Sequence, residues 1–284
     1  MTSPAGLALA LLRSFDAAGP PGDPLPALPP LPAVGPPVAV PVADRPPTDP
    51  LTTLSCRQAV RQFAVTPLRL PELGAAVAAG TAADRRDRPT EVDHDRLEVL
   101  IVALRVDGLA TGVHRYDAVA RTVTPVLPLP DRDAGAHLTA GREFAAAGAI
   151  VTVLGDIGSA VARRGAHGYR LLLTRAGAAA YAMWLDAVAR DLTGCVFAGL
   201  VPAAVRRPLR CDGVRRQPLF AVALGNPHSH RVSANPSGRS PGVPPDHGRT
   251  GPISREAAMK FMNPVELDLY AEDLAESRYG AGTG

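Results

Sequence analysis

Two arginines set four residues apart, Arg57 and Arg61, offer the clearest chemistry in this chain. They lie in the stretch Leu54-Ser55-Cys56-Arg57-Gln58-Ala59-Val60-Arg61-Gln62-Phe63. On a helix, side chains four apart share a face, and two guanidiniums so placed can hold one phosphate dianion. The plain alternative for an Arg-x-x-x-Arg is a solvated helix face. Other polar groups offer less. His114, His167 and the pair His228/His230 have no partners at metal-ligand spacing, and Asp93-His94-Asp95 reads better as a solvated loop than as a cation site. Cys56, Cys195 and Cys211 are widely spaced and odd in number. They give neither a disulfide framework nor a zinc site, which fits a reducing, cytoplasmic compartment.

Helices and strands must position these residues. Residues 1–18 read as a short helix, and from Gly19 to Pro50 proline recurs every two or three residues, so this segment runs extended along a surface or partner. Residues 51–65 read as a helix ending near Phe63, and Leu70–Gly80 as a second helix with Gly80 as its stop. Thr81–Arg96 is polar and turn-like. Leu97–Val106 reads as a buried strand, Asp107-Gly108 as a turn, Val113–Asp117 and Thr122–Leu127 as a pair of strands, and Ala149–Gly155 as a buried strand. Tyr169 to about Leu192 is the longest helix, with Leu172, Ala176, Ala179, Met183 and Val188 near one apolar face. Pro218–Gly225 is the last strand.

The chain has 284 residues and a net charge of +3, too small to point to nucleic acid. It has no run of about 18 apolar residues that would cross a membrane. The apolar Gly6–Leu12 lacks preceding positive residues and makes a poor secretory signal. His228–Pro252 reads as a flexible linker. Beyond it, three basic residues (Arg255, Lys260, Arg278) face six acidic ones (Glu256, Glu266, Asp268, Glu272, Asp273, Glu276), for a net −3. Asn263-Pro264-Val265-Glu266 is a good helix start, and the helix expected over about 264–276 would present Leu267, Tyr270 and Leu274 on one face. The organisation expected is an N-terminal helix and proline-rich arm (1–50), a main domain (51–227), a linker (228–252) and an acidic tail (253–284).

Several segments, in order, resemble one branch of the nitroreductase superfamily, the SagB-type or McbC-like dehydrogenases of azole-containing peptide natural products. Arg57–Phe63 resembles the family's flavin-phosphate motif, roughly Arg-Arg-Ser-x-Arg-x-Phe. Val106–Asp117 resembles its turn and strand ending in Tyr-Asp. Gly165-Ala166-His167-Gly168-Tyr169-Arg170 resembles its Gly-x-Arg-Gly-Tyr-Arg helix start, and Thr193–Leu200 and Leu219–Pro227 resemble its late turn and closing strand. The likeness covers about residues 25–227. It implies an α+β fold with a central, mostly antiparallel sheet flanked by helices, assembled as an intertwined homodimer with FMN at the subunit interface. By resemblance, Arg57 and Arg61, with Gln58 and Ala59 between them, would contact the flavin phosphate. Ala198 and Gly199, in a turn after Cys195, would place backbone N–H groups near the flavin ring edge, where they stabilise reduced flavin.

Three departures from the family pattern stand out. Pro89-Thr90-Glu91-Val92-Asp93-His94 replaces a segment of small residues whose backbone would approach the flavin. Arg163-Arg164 replaces a Lys-Tyr pair; arginine is a poor general base but suits gripping a peptide carboxylate or backbone. Ala59 replaces a serine. Tyr169 is the nearest phenol able to move a proton, its alternative role being a packed core tyrosine.

The resemblance thus implies an FMN-dependent dehydrogenase acting on a precursor peptide with a leader, after a cyclodehydratase partner has made thiazoline or oxazoline rings. The alternatives are an NAD(P)H-dependent nitro- or quinone-type reductase, and a non-catalytic scaffold subunit. The tail from Met262 reads either as a tethered, leader-like acidic segment or as a C-terminal helix packed on the dimer.

Overall fold

The computed structural model describes residues 25–41, 43–44, 48–87, 97–130, 138, 142–197 and 202–228. The chain divides into two units, Met1–Val232 and Ser233–Gly284, and the described residues all belong to the first. The expected helix at 1–18, the segment Pro89–His94, Ala198, Gly199 and the acidic tail lie outside the described residues, as does the linker beyond His228.

Three strands carry apolar residues on both faces, and this dictates the layers. They are β3 (Glu98–Ala103), β7 (Ala149–Gly155) and β9 (Gln217–Gly225). Side chains alternate across a strand. Val99, Ile101, Val151, Val153, Val222 and Leu224 therefore face one cluster, while Leu100, Val102, Ile150, Leu154, Ala221 and Ala223 face another. Such a sheet must be covered on both sides.

The remaining strands extend this centre to a seven-stranded sheet. They are β1 (Val38–Ala39), β5 (Gly112–Asp117), β6 (Thr122–Pro128) and β8 (Thr193–Phe197), in the order β1-β6-β5-β3-β7-β9-β8, with antiparallel pairing throughout. A short parallel pair joins β2 (Leu68–Arg69) to β4 (Val106–Asp107). The strand expected over Leu97–Val106 is thus split between β3 and β4. Thr193–Phe197, expected as part of a turn, is the edge strand β8.

The first cluster is covered by two helices, α2 (Leu70–Asp87) and α3 (Ile157–Ala189); α1 (Pro50–Cys56) and α4 (Pro202–Arg206) are short. Helix α2 runs beyond the expected stop at Gly80 and takes in Thr81–Asp87. Gly80 instead lets α2 approach α3: a Cβ there would lie 2.3 Å from Met183 Cγ and 2.5 Å from the Ala179 carbonyl. Helix α3 begins at Ile157, capped by Asp156, rather than at Tyr169. The sequence Gly165–Gly168 is a kink and not a start. Gly165 has φ 57° and ψ −149°, a conformation essentially restricted to glycine, and a Cβ on Gly168 would meet the Ala160 carbonyl oxygen.

The proline-rich arm runs extended over its described part, as its composition requires. Leu31 is buried, Val34 N–H donates to the Pro125 carbonyl at 2.9 Å, and Val38–Ala39 adds the edge strand beside β6. Two arginines strap it down. Arg216 donates to Glu98 at 2.7 Å and to the Pro29 carbonyl at 2.8 Å, and Arg215 pairs with Asp156 and donates to the Pro26 carbonyl. Asp212 shapes their loop by accepting the backbone N–H groups of Val214, Arg215 and Arg216. Burial opposes its charge, but those donors prevail and hold its carboxyl below the ordinary carboxylate range.

Helices α2 and α3 also share a buried ion pair. Arg175 Nε and Nη2 donate to the two carboxylate oxygens of Asp84 at 2.8 and 2.9 Å, with side-chain exposures of 4% and 9%. Removing Asp84 takes two charge-assisted hydrogen bonds from a buried guanidinium. Asp84→Ala is expected to lower the unfolding free energy by about 3–5 kcal/mol, while the double replacement Asp84→Leu with Arg175→Met recovers most of it. Urea denaturation checks both, and a loss below about 1 kcal/mol for the single variant would contradict the buried pair.

Candidate functional site

The arginine stretch is not helical. Helix α1 starts with Asp49, whose carboxylate accepts Thr52 N–H at 2.9 Å, and with Pro50 in its first turn. It ends at Cys56, and Arg57 caps it with extended backbone, φ −66° and ψ 116°. Beyond that point the chain makes tertiary hydrogen bonds in place of helical ones. Val60 N–H donates to Gly194 O at 3.0 Å, with Ala59 bridged to Gly194, and Ala64 N–H donates to Asn226 O at 2.9 Å. Phe63 is buried and bridges Pro227. Arg57 and Arg61 therefore do not share a helix face. Four residues of extended chain span up to about 13 Å, against about 6 Å for one helical turn.

Each arginine is held differently. The Arg57 guanidinium lies 4.9 Å from the ring centre of Trp184 and 5.9 Å from that of Tyr181, both on α3, within the range of a cation–π contact. Trp184 and Tyr181 are themselves edge-to-face, with centroids 6.0 Å apart. Arg57 Nε and Trp184 Nε1 are both buried without a hydrogen-bond acceptor. A buried donor left unmade costs about 1–3 kcal/mol, so this pair marks a place where an acceptor fits. Arg61 is 63% exposed and pairs at 3.3 Å with Glu143, 41% exposed. Glu143 is brought there by a 3₁₀ turn, Arg142–Ala146, which is pinned by Phe144 stacked on Phe197 with centroids 4.0 Å apart.

The residues present fit a phosphate. A guanidinium already oriented on an aromatic face has a buried, unsatisfied Nε, and the second arginine sits in a weak, exposed pair that an anion can displace. Gln58 and Ala59 are exposed beside it, and Ala59 offers no hydroxyl.

The other candidates lie elsewhere. Arg163 and Arg164 are on α3 before the kink and are partly exposed; Tyr169, just after it, is 41% exposed and so is not a core residue. From Tyr169 to Trp184 the helix advances about 22 Å at 1.5 Å per residue. One chain therefore does not bring Arg163, Arg164 and Tyr169 to Arg57. Ala198 and Gly199 follow the end of β8 but lie outside the described residues. Sequence reading missed Trp184, Tyr181 and Glu143. The usable signal was the chain's single tryptophan with a tyrosine three residues earlier on the same helix.

Two cavities lie apart from this site. One of about 560 Å³ lies between α1, α2, α3 and the arm, and one of about 460 Å³ lies between the arm, β3 and β5. Among the described residues no cluster of metal-ligating side chains occurs, and no helix is long and apolar enough to cross a membrane. Cys56 is exposed and unbonded, while burial pushes the Cys211 thiol up to about 12.

No protein-family model matches the sequence, and no curated protein matches it. Solved structures do match in shape. A protein named as a nitroreductase from Anabaena variabilis aligns with a TM-score of 0.56 at 22% identity, over 67% of this chain and 41% of its own. A second, from Ralstonia eutropha, aligns with a TM-score of 0.52 at 19% identity, over 74% of this chain and 100% of its own. The fold is nitroreductase-like. The chain spans less than half the length of the first of these proteins and the whole of the second. A chain of the Escherichia coli microcin synthetase McbBCD complex aligns with a TM-score of 0.49 at 16% identity, over 61% of this chain and 70% of its own.

Within this nitroreductase-like fold His114 is structural. It is buried on β5 and its Nε2 lies 2.9 Å from the Ala110 carbonyl, which assigns the proton to Nε2. Burial lowers its pKa below 6.5, and the bond to Ala110 only partly offsets this. The unfolded chain then binds the proton more readily, so the stability His114 contributes is full above pH 6.5 and falls as the pH drops below it. The stability gap between wild type and His114→Gln is expected to narrow from pH 7.5 to pH 5. A gap that stays constant across that range in denaturation curves would contradict a buried neutral imidazole.

Proposed function

We propose that this protein is an FMN-dependent oxidoreductase that oxidises azoline rings to azoles in a ribosomally made peptide. The observation that carries the reading is Arg57. Within a nitroreductase-like fold, it sits on an aromatic platform with an unsatisfied Nε, beside the strand junction of Ala59 and Gly194. The ordered resemblance of residues 25–227 to the azoline dehydrogenases supports the substrate class.

FMN, when bound, supplies a two-electron acceptor. Arg57 and Arg61 would hold its phosphate, Arg61 by exchanging Glu143 for it. Converting an azoline to an azole removes two electrons and two protons, so a group near the ring must take a proton. Tyr169 is an exposed phenol suited to that transfer, and Arg163 and Arg164, permanently protonated, suit gripping the peptide backbone or a carboxylate. The separation of about 22 Å along α3 between Tyr169 and Trp184 implies that the reading works through a homodimer. The second copy would bring the start of its α3 to the flavin held by Arg57. The peptide would arrive with its leader, after a cyclodehydratase had formed the ring, and the acidic tail would serve either as a leader-like segment or as a packing helix.

A second reading is an NAD(P)H-dependent reductase of small nitro or quinone acceptors. Its support is that two proteins aligned with TM-scores of 0.56 and 0.52 are named as nitroreductases.

Purified protein, denatured and assayed for released flavin, is expected to give near-stoichiometric FMN. Arg57→Ala is expected to raise the FMN dissociation constant roughly 10- to 100-fold, the worth of a hydrogen bond to a charged group. Protein that stays colourless after addition of FMN would overturn the proposal. Consumption of azoline peptide without NAD(P)H favours the first reading, and pyridine-nucleotide-dependent reduction of nitro compounds alone favours the second.

A further inference from the structure

We propose that Trp184 donates its indole N–H to the phosphate of the bound flavin, so that α3 adds a donor to the anion site which the Arg57–Arg61 stretch does not contain. The proposal deepens the flavin reading and rests on it for the identity of the ligand. Its anion chemistry is argued from the side chains alone.

Trp184 is 5% exposed and packs in the core of the first cluster, yet its Nε1 finds no acceptor. An indole N–H is a donor only, and so is a guanidinium. A second donor, Arg57 Nε, is buried and equally without an acceptor, and its guanidinium lies over the same indole at 4.9 Å. Two buried donors on adjoining side chains cannot satisfy each other. What satisfies both is an acceptor at the rim of the indole, and the fixed positive charge of Arg57 makes an anion the preferred one.

The orientation of the ring places that rim. A Cβ on Gly194 would lie 3.3 Å from Trp184 Cδ1, the carbon bonded to Nε1, so the pyrrole edge faces the start of β8. There Gly194 meets Ala59 and accepts Val60 N–H. The indole N–H therefore sits beneath the arginine stretch. Ala59 carries no hydroxyl, so the residue that bridges Gly194 adds no side-chain donor of its own, and the buried donors at this place are those of Arg57 and Trp184. A phosphate monoester has enough acceptor oxygens to take an in-plane indole N–H and a guanidinium from above the ring together.

Trp184 is the only tryptophan, so the chain has a single indole N–H resonance. The test tracks that signal in the full-length protein on adding FMN, riboflavin or inorganic phosphate, and measures flavin affinity of wild type and Trp184→Phe by flavin fluorescence. FMN and phosphate are expected to shift the resonance and riboflavin to leave it. Trp184→Phe, which keeps an aromatic face but loses the donor, is expected to bind FMN about tenfold more weakly with riboflavin binding unchanged. If FMN binds but the resonance stays still, or if the variant binds FMN as tightly as wild type, the role of Trp184 is overturned while the flavin reading stands. If phosphate shifts the resonance and FMN does not bind, the anion site stands and the flavin reading falls. If nothing binds and nothing shifts, both fall. Should Trp184→Phe fail to fold by circular dichroism, the shift in wild type decides alone.

Discussion

The geometry of the site depends on where α3 lies against the sheet. Leu172, Ala176, Ala180, Met183 and Ala187 bury its inner face against β7 and β9, and Gly80 lets α2 close on it from the side. Each fully buried Leu or Met contributes about 1.5–3 kcal/mol, which makes this face the main source of the helix's stability. The Arg175–Asp84 pair adds little net energy by comparison, because desolvation offsets most of its attraction. What it can add is register: two planar groups bonded at two points fix how far α2 slides along α3. With α3 fixed, Tyr181 and Trp184 are fixed, and Arg57 has a platform.

The sheet was legible in the sequence where burial on both faces left no choice. Leu100–Ala103 is a continuous apolar run and Ala149–Gly155 is apolar but for Thr152, and the strands expected there are found. The pairing of β5 with β6 is likewise found as the two short strands suggested, while the α+β class was implied by the resemblance and is what the sheet and flanking helices show. The errors cluster where a glycine or a tertiary hydrogen bond decides. Gly80 reads as a helix stop but is a contact between helices, and Gly165–Gly168 reads as a helix start but is a kink inside one. Nothing local separates these roles, because each depends on what packs against the missing Cβ.

The arginine stretch shows the same limit more sharply. Helical spacing placed Arg57 and Arg61 on one face, and the residues from Gln58 to Phe63 have no strong propensity against a helix. The Gly194 and Asn226 carbonyls take the N–H groups of Val60 and Ala64, and this tertiary pairing overrides the local preference. The two arginines therefore share no helix face, and the candidacy of Arg57 for anion chemistry rests instead on its aromatic platform and its unsatisfied Nε. The role proposed for Trp184 is invisible in the sequence because it depends on a neighbour far away in the chain. It reads as one more apolar residue on a buried helix until Gly194 and Arg57 are placed beside it.

The two arginines differ in what an incoming anion must undo, and this asymmetry shapes any phosphate binding here. Arg61 starts paired with Glu143, and an exposed pair of this kind is worth about 0.2–1 kcal/mol, so exchanging it is cheap but leaves a carboxylate beside the bound charge. Arg57 starts with Nε unsatisfied and its plane already fixed over Trp184, so an anion there gains a charge-assisted bond of about 1.5–3 kcal/mol without breaking one. The larger gain therefore lies at Arg57. For the proposed flavin phosphate, Arg61 would be the outer and more salt-sensitive contact, since screening weakens exposed charges more than buried ones. In the proposed site, affinity would come from α3 and its platform, and the surface-exposed half of the motif would tune it.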